Sequence, residues 1–201
     1  EITTAITNYN TNTLQKFDSV YRHSKLTGII DDVDTSILSN ITTIKIRKSF
    51  TPTLASSTKY DIYFRNALFN PHSGHNSSAG GILSSTGFKI DGNDNEMFLD
   101  DDGEGNVRLY QLESGIRTYI NSTQGTISYS SGQITLNSLN VASISNIRGA
   151  TSTVVELTAT PNSNDVVPVR DQIVEIDIAN STINVTADSF VGGSADAGVG
   201  Y

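Results

Sequence analysis

Two stretches near the start of the chain have apolar residues at helical spacing. These residues recur every three or four positions and give each predicted helix one apolar side: Ile2, Ile6, Tyr9, Leu14 and Phe17 in residues 2–17, and Leu26, Ile29, Ile30 and Val33 in residues 24–33. Ser24 has the hydroxyl with which an N-cap residue accepts a backbone N–H. Asp31, Asp32 and Asp34 place negative charge where it opposes the helix dipole, so we expect the second helix to end there.

The rest of the chain alternates short apolar and polar runs, which is typical of strands and turns. Ile44, Ile46 and Phe50 alternate with polar and basic residues, which predicts a strand with one buried side. Further strands are predicted at residues 59–64, 87–90, 97–99, 107–112, 117–120, 126–129, 133–136, 142–147, 153–159, 172–178 and 181–185. The two runs that flank Ser-Ser-Gly at residues 130–132 predict a hairpin. Residues 70–81 lack apolar periodicity and are predicted to form a mobile loop.

These elements predict an α+β fold, with a small α-α-β unit followed by mainly antiparallel β domains. The predicted units are residues 1–50 (α-α-β), 51–140 (a β-rich domain or an insertion) and 141–201 (a β segment ending in a Gly-rich linker). Because the chain begins without Met and stops after a Gly-rich tail, we expect it to be a fragment of a longer protein.

Charge is unevenly distributed along the 201 residues, which carry a net charge of −8. Residues 1–70 hold eight basic and six acidic residues, whereas residues 71–201 hold five basic and fifteen acidic residues. The acidic later part repels nucleic acid, and the start has no basic stripe interleaved with aromatics, so we expect no nucleic-acid binding.

No apolar run approaches the roughly 18 residues of a membrane-spanning helix, so no membrane partner is expected. The absence of Cys excludes disulfides, thiolate catalysis and Cys-based zinc sites.

The strongest chemical candidate is a pair of acidic runs with carboxylates and amides at alternate positions, which suit a hard cation such as calcium. The candidate ligands are Asp91, Asn93, Asn95, Asp100, Asp102 and Glu104. Glu96 replaces the glycine of the sharp turn in the first run, and Gln111 stands where the second run needs a bidentate carboxylate. Solvated turns rich in Asp, Asn and Gly are the alternative, and we expect no metal site.

No catalytic set can be assembled from the sequence. His72 and His75 lie in a Ser-, Gly- and Asn-rich segment without a nearby carboxylate or Cys, which indicates a surface loop and not a metal site. The chain has no Gly-x-Ser-x-Gly elbow and no phosphate-binding glycine loop. Carboxylates are abundant, but no Trp is present to stack a sugar. We therefore expect no enzyme, no cofactor and no small-molecule substrate.

Two ordered blocks of the sequence resemble a known family. The first, in residues 17–50, contains Phe-Asp-x-x-Tyr-Arg-His-Ser-Lys-Leu, then Ile-Asp-Asp, Ile-Leu-Ser-Asn and Lys-Ile-Arg-Lys. The second is Ser-Asn-Asp-Val-Val-Pro-Val-Arg-Asp-Gln-Ile at residues 163–173, followed by Glu-Ile-Asp at residues 175–177. Both blocks resemble baseplate wedge proteins of contractile-tailed, T-even-type bacteriophages, in the baseplate J-like group, over a fragment of their C-terminal half.

The resemblance implies a structural protein of the virion tail baseplate, assembled in the host cytoplasm. It implies a wedge subunit that forms the ring around the hub, associates with itself and with other wedge proteins, and rearranges when the tail contracts. Aromatic residues on or near strands are the candidate contacts between subunits: Tyr60, Tyr63, Phe64, Phe69 and Tyr129. Ordinary core packing is the alternative for each of them. For the whole chain the alternative is a secreted or virion-surface β-module that binds carbohydrate, with or without calcium in its acidic turns.

Overall fold

The structure of the protein is a computed structural model that describes residues 1–75, 81–169 and 172–187. Its N-terminal part is helical. Helix α1 covers Ile2–Tyr9 and continues as a π-helical turn over Asn10–Leu14, and helix α2 covers His23–Asp31. Both predicted helices are present, but the first ends three residues and the second two residues earlier than predicted, so Phe17 lies outside the helix and is exposed. Helix α2 ends at the acidic cluster, as the dipole argument predicts. The described helices are too short and too polar for any of them to cross a membrane.

The cap of α2 differs from the prediction, because Ser24 lies inside the helix. The N-cap residue is Arg22, whose side chain makes no cap hydrogen bond. Instead, the backbone N–H of His23 donates to Asp165 Oδ1 at 2.9 Å. A carboxylate at this position satisfies a free N–H and complements the helix dipole, so a residue from far along the chain takes the place of the local cap.

Nine strands occur among the described residues: β1 (Ile46–Phe50), β2 (Ser57–Tyr63), β3 (Leu83–Ser85), β4 (Phe88–Ile90), β5 (Asn93–Asp101), β6 (Asn106–Glu113), β7 (Ile116–Ser128), β8 (Gln133–Ile144) and β9 (Val155–Ala159). The α+β class is confirmed, since short helices precede mostly antiparallel β structure.

The strands form two antiparallel sheets. In the three-stranded sheet β9 lies between β1 and β3. In the six-stranded sheet the order is β2-β8-β4-β5-β6-β7, and β7 also pairs with β8, so this sheet closes on itself. Ile127 of β7 lies opposite Ile134 of β8, which confirms the hairpin predicted around Ser-Ser-Gly.

Strands β7 and β8 are each longer than predicted. β7 joins the predicted strands 117–120 and 126–129, and β8 joins 133–136 and 142–147. Ser138 in the middle of β8 has a φ of 46°, and the pairing of β8 with β2 shifts register there. Such a bulge interrupts the alternation of apolar and polar residues without ending the strand, so the pattern divides one strand into two.

The prediction of strands at residues 172–178 and 181–185 is wrong. Residues 172–187 contain one 3₁₀ turn, Ile178–Asn180, and no strand. The N–H of Ile176 donates to Asn10 Oδ1 at 2.7 Å, and its carbonyl accepts a hydrogen bond from Asn10 Nδ2 at 3.3 Å. One side-chain amide thus satisfies the backbone groups that a neighbouring strand would otherwise satisfy.

The buried apolar residues that the structure describes form two cores. The larger core belongs to the β structure and includes Phe64, Phe88, Met97, Leu99, Val107, Leu109, Ile134, Leu136, Val141 and Leu157. The smaller core joins the helices to the returning chain and consists of Ile6, Tyr9, Leu14, Tyr21, Leu26, Ile30 and Val166. Ile46 packs against both cores. The division near residues 50 and 140 stays a prediction, and residue 140 lies within β8.

Candidate interaction surface

Strands β5, β6 and β7 carry aromatic and charged side chains on one side. Cross-strand pairing places Phe98 opposite Tyr110 and Tyr110 opposite Tyr119. Asp100 and Arg108 lie opposite each other, one step further along the same side. Because alternate residues of a strand share a side, these five residues form one surface, which we call the β5–β7 face. The intervening residues of β5 and β6 point into the larger core.

Asp100 is the centre of a buried ion-pair network on this face, and only 1% of the residue is exposed. Its Oδ1 accepts from Arg108 Nε at 2.8 Å. Its Oδ2 accepts from Arg117 Nη1 at 2.8 Å and from Tyr119 Oη at 2.9 Å. A buried carboxylate is costly unless its charge and its lone pairs are matched, and here two guanidinium groups and a phenol match them. The network therefore ties β5 to β6 and β7.

The two arginines of the network also lie over aromatic rings. Arg108 is 4.3 Å from the ring centroid of Tyr119, and Arg117 is 4.8 Å from that of Tyr110. The rings of Phe98 and Tyr110 stack with their centroids 5.6 Å apart. Burial raises the pKa of Tyr110, and burial together with the hydrogen bond to the carboxylate raises the pKa of Tyr119. Both phenols therefore stay protonated at neutral pH, and Tyr119 keeps its role as a donor.

The β6–β7 hairpin next to this face exposes apolar side chains. Its turn residues Ser114 and Gly115 have φ values of 52° and 82°, and a pair of positive φ angles is what a type I′ turn requires. The exposed apolar residues of the hairpin are Leu112, Ile116, Tyr119 and Ile120, with Ile116 at 71% exposure. Sequence reasoning missed this surface, although a Ser-Gly pair between two strand patterns is a hairpin signal.

One edge of β7 is unpaired over much of its length. β7 pairs with β6 from Ile116 onward, but with β8 only over residues 125–128. Over residues 116–124, the edge facing away from β6 has no strand partner among the described residues. An exposed edge offers unpaired N–H and C=O groups to another chain, so this edge is a candidate contact surface.

A second candidate contact surface lies in the N-terminal part. Residues 32–45 connect α2 to β1 without helix or strand. Leu38 and Ile41 in this connection are exposed, Ile41 at 96%, and Phe17 is also exposed. Leu38 and Ile41 lie three positions apart in the same connection, so these two residues mark a second candidate contact surface.

The calcium candidates lie at opposite ends of β5: Asp91, Asn93 and Asn95 at or before its start, and Asp100, Asp102 and Glu104 at or after its end. The Asp102 carboxylate accepts from the N–H groups of Glu104 and Asn106 at 2.8 and 2.9 Å, as in ordinary Asx turns. Both oxygens of Asp100 already accept hydrogen bonds from arginine. Within the described ranges, no three or more His, Cys, Asp or Glu side chains are placed to hold a metal ion.

The five aromatic contact candidates differ in burial. Phe64 is 2% exposed and lies in the larger core, where a partner protein cannot reach it. Tyr60 and Tyr129 pack partly buried against that core, and the hydroxyl of each has a protein hydrogen-bond partner. Tyr63 and Phe69 are exposed at 45% and 37%. A contact role for these residues stays a prediction, and of the five only Tyr63 and Phe69 offer substantial surface.

The His72 and His75 rings contact each other, with Nδ1 of His75 3.0 Å from Nε2 of His72. The His75 ring also meets the edge of Phe69, with the centroids 5.6 Å apart. Ser73 between them donates a hydrogen bond to Glu104. The two histidines therefore form a local ring–ring contact in an exposed turn. The predicted loop at residues 70–81 falls partly outside the described residues.

Comparison with known families gives one result for the N-terminal part. Residues 1–49 match the model of the family described as baseplate structural protein gp6, C-terminal domain III. The match supports a phage baseplate protein. It covers about a quarter of the chain, namely α1, α2 and nearly all of β1. No curated protein gives a significant match to the chain.

The match to a baseplate structural protein implies a location in the tail baseplate of the virion, where a protein of this kind contacts other baseplate proteins. Its structural character favours a non-enzymatic role. The matched residues contain the first block of the resemblance described above, so the general class that the resemblance implies, a phage baseplate protein, is supported.

Proposed function

We propose that the chain is part of a wedge subunit of a contractile-tailed phage baseplate, in the baseplate J-like group, and that it helps to form the ring around the hub. The match of residues 1–49 to a baseplate structural protein carries this proposal. The second sequence block supports it from the other end of the chain, because Asp165 and Ile176 of that block hydrogen-bond to the matched residues His23 and Asn10.

The wedge subunit associates with itself and with other wedge proteins. A subunit within a ring needs at least two contact surfaces, one for each neighbour. Two separate exposed apolar groups support this requirement: one is formed by Leu38 and Ile41 near α2, and the other by the β6–β7 hairpin. Burying apolar surface is the main favourable contribution to association between proteins, so both groups fit contacts with neighbouring subunits.

Rearrangement on tail contraction requires parts that stay rigid while their mutual contacts change. The Asp100 network supports such rigidity in β5, β6 and β7, because it joins the three strands by side chains as well as by the backbone. The separate core around α1 and α2 supports a second rigid part. Ile46 packs against both cores and marks where the two parts meet.

The solution mass of the protein, measured by light scattering over a concentration series, tests self-association. We expect a dimer or a larger assembly that dissociates on dilution. A second measurement mixes the protein with the other wedge proteins of the same baseplate and follows complex formation by size-exclusion chromatography. An Ile41→Ser variant tests the N-terminal surface, and we expect it to weaken association relative to the unmodified protein. A monomer at every concentration that also forms no complex with wedge proteins would contradict the proposal.

A further inference from the structure

The two cores divide the described residues into two parts. The helical part surrounds the smaller core and consists of residues 1–45, 163–169 and 172–187, and the β part contains the larger core and consists of residues 46–75 and 81–162. Ile46 packs against both cores. Among the described residues, one ion pair joins the two parts, and it links Arg47 of β1 to Asp177 of the returning chain. This ion pair therefore lies at the junction of the two parts, next to Ile46 in the chain.

The chain passes between the two parts twice, each time without regular secondary structure. In the returning chain, the N–H of Asn162 donates to the carbonyl of Ala67 in the β part at 2.8 Å, whereas Asp165 caps α2 in the helical part. Only Ser163 and Asn164 separate these two contacts. The other passage follows residues 32–45, which contain neither helix nor strand. Hinges consist of a few such residues that absorb changes in φ and ψ, so both passages are suited to a hinge.

The guanidinium group of Arg47 has a second partner, which belongs to the β part. Its Nη1 donates to Glu156 Oε2 of β9 at 2.8 Å, while its Nη2 contacts Asp177 Oδ2. Glu156 Oε2 also accepts from Arg148 Nη2 at 3.0 Å. When Arg47 separates from Asp177, the arginine keeps Glu156, and the carboxylate of Asp177 keeps the side-chain amide of Asn180 as a donor. The ion pair can therefore open without leaving either group without a protein partner.

The exposure of this ion pair makes it easy to open. The side chains of Arg47 and Asp177 are 32% and 33% exposed, so water and dissolved ions reach both. Exposed pairs contribute little stability and are screened by salt, whereas a buried pair such as that of Asp100 is costly to break. We propose that the Arg47–Asp177 ion pair is a releasable contact, and that the helical part turns relative to the β part when it opens. This inference rests on the rearrangement in the proposed function and assigns its control to one ion pair.

Distances between two spin labels, measured by electron paramagnetic resonance, test the proposed motion. The chain contains no Cys, so labels attach only at introduced cysteines. Asn8→Cys on α1 with Thr126→Cys on β7 reports on the two parts, and Ser57→Cys with Thr126→Cys is the control pair within the β part; all three positions are exposed. We expect Asp177→Asn to broaden the distance distribution between the parts and to leave the control pair unchanged. The ratio of open to closed molecules should rise by up to about fivefold, the upper limit for an exposed ion pair.

Three further measurements separate loss of this ion pair from a general loss of structure. Asp61→Asn removes an exposed ion pair within the β part and should leave both distance distributions unchanged. Asp177→Glu keeps the negative charge and should keep the narrow distribution between the parts. Sodium chloride at roughly 1 M should broaden that distribution when Arg47 and Asp177 are both present, because salt screens exposed charges. Circular dichroism establishes that each variant is folded. If Asp177→Asn and high salt both leave the distribution between the parts unchanged, the inference is wrong.

Complex formation with the other wedge proteins distinguishes this inference from the proposed function. A protein that forms the complex but keeps one narrow distribution in Asp177→Asn would contradict the inference alone. A protein whose distribution broadens in Asp177→Asn, but which stays a monomer and forms no complex, would contradict the proposed function alone.

Discussion

Replacing Asp100 by Asn tests whether the ion-pair network holds strands β5, β6 and β7 together. The substitution keeps the volume of the side chain but removes its charge. The new amide group can accept hydrogen bonds through only one oxygen, whereas the carboxylate accepts from Arg108, Arg117 and Tyr119. The two guanidinium groups then lose the opposite charge that lies between them.

The size of the effect follows from how well each arginine can reach water. The Arg108 side chain is 11% exposed and pairs with no other carboxylate among the described residues, whereas the Arg117 side chain is 36% exposed and can turn outward. Removing one partner of a buried ion pair costs about 3–5 kcal/mol. Because Arg117 is released to solvent, we expect the lower end, about 3 kcal/mol of unfolding free energy. In a chain of this size that loss lowers the melting temperature by about 6–12 °C.

Urea denaturation and thermal melting of Asp100→Asn measure the loss. Asp61→Asn is the matched control, because Asp61 is also a strand carboxylate paired with a cation, Lys59 at 3.0 Å, but at the surface. We expect no resolvable change in the control, since exposed pairs are screened by solvent. A double-mutant cycle with Arg108→Gln should show that the two losses are not additive. An Asp100→Asn variant as stable as the Asp61→Asn control would refute the reasoning.

Three further predictions concern the packing of the returning chain against the helices. Asp165→Ala should lower the unfolding free energy by about 1 kcal/mol, because the N–H of His23 loses its cap, and Asp165→Asn should lose less; urea denaturation measures both. Asn10→Ala should cost about 1–3 kcal/mol in the same assay, because the N–H of Ile176 loses its acceptor, while the carbonyl of Ile176 keeps the N–H of Ile178 as a donor. Burial, with smaller contributions from neighbouring groups, raises the pKa of Tyr21 from 10.0 to about 12. The folded state therefore favours the neutral phenol, and its contribution to stability, complete below pH 10, should be lost as the pH rises through about 12. Denaturation at increasing pH should show a smaller loss in Tyr21→Phe, and an equal loss in both proteins would contradict this assignment.

Local patterns predicted the elements whose stabilising residues lie close together in sequence. The apolar spacing in residues 2–17 and 24–33 predicts two helices, and both are found. The Ser-Ser-Gly turn predicts the β7–β8 hairpin, because a turn and its two flanking strands are adjacent in the chain. The acidic end of α2 is likewise a local effect of charge on the helix dipole.

The predictions fail where a distant residue supplies the missing interaction. Ser24 looks like a cap, but the carboxylate that caps α2 comes from Asp165. Residues 172–178 have a strand pattern, yet Asn10 supplies the hydrogen bonds of Ile176 and no strand forms. A strand pattern shows that a segment suits a half-buried position. It does not show whether a neighbouring strand or a helical unit covers the buried side.

The sequence by itself determined the α+β class, the absence of cysteine chemistry and the resemblance to baseplate proteins, because composition, periodicity and motif order are properties of the chain alone. Only the tertiary structure decided the role of Asp100, which in the sequence belongs to an acidic run and in the fold is the buried partner of two arginines. It also decided where β7 lacks a second strand partner, since among the described residues β7 pairs with β8 over residues 125–128 and not before residue 125. Burial and strand pairing bring together residues far apart in the chain, and neither is encoded in any single stretch of it.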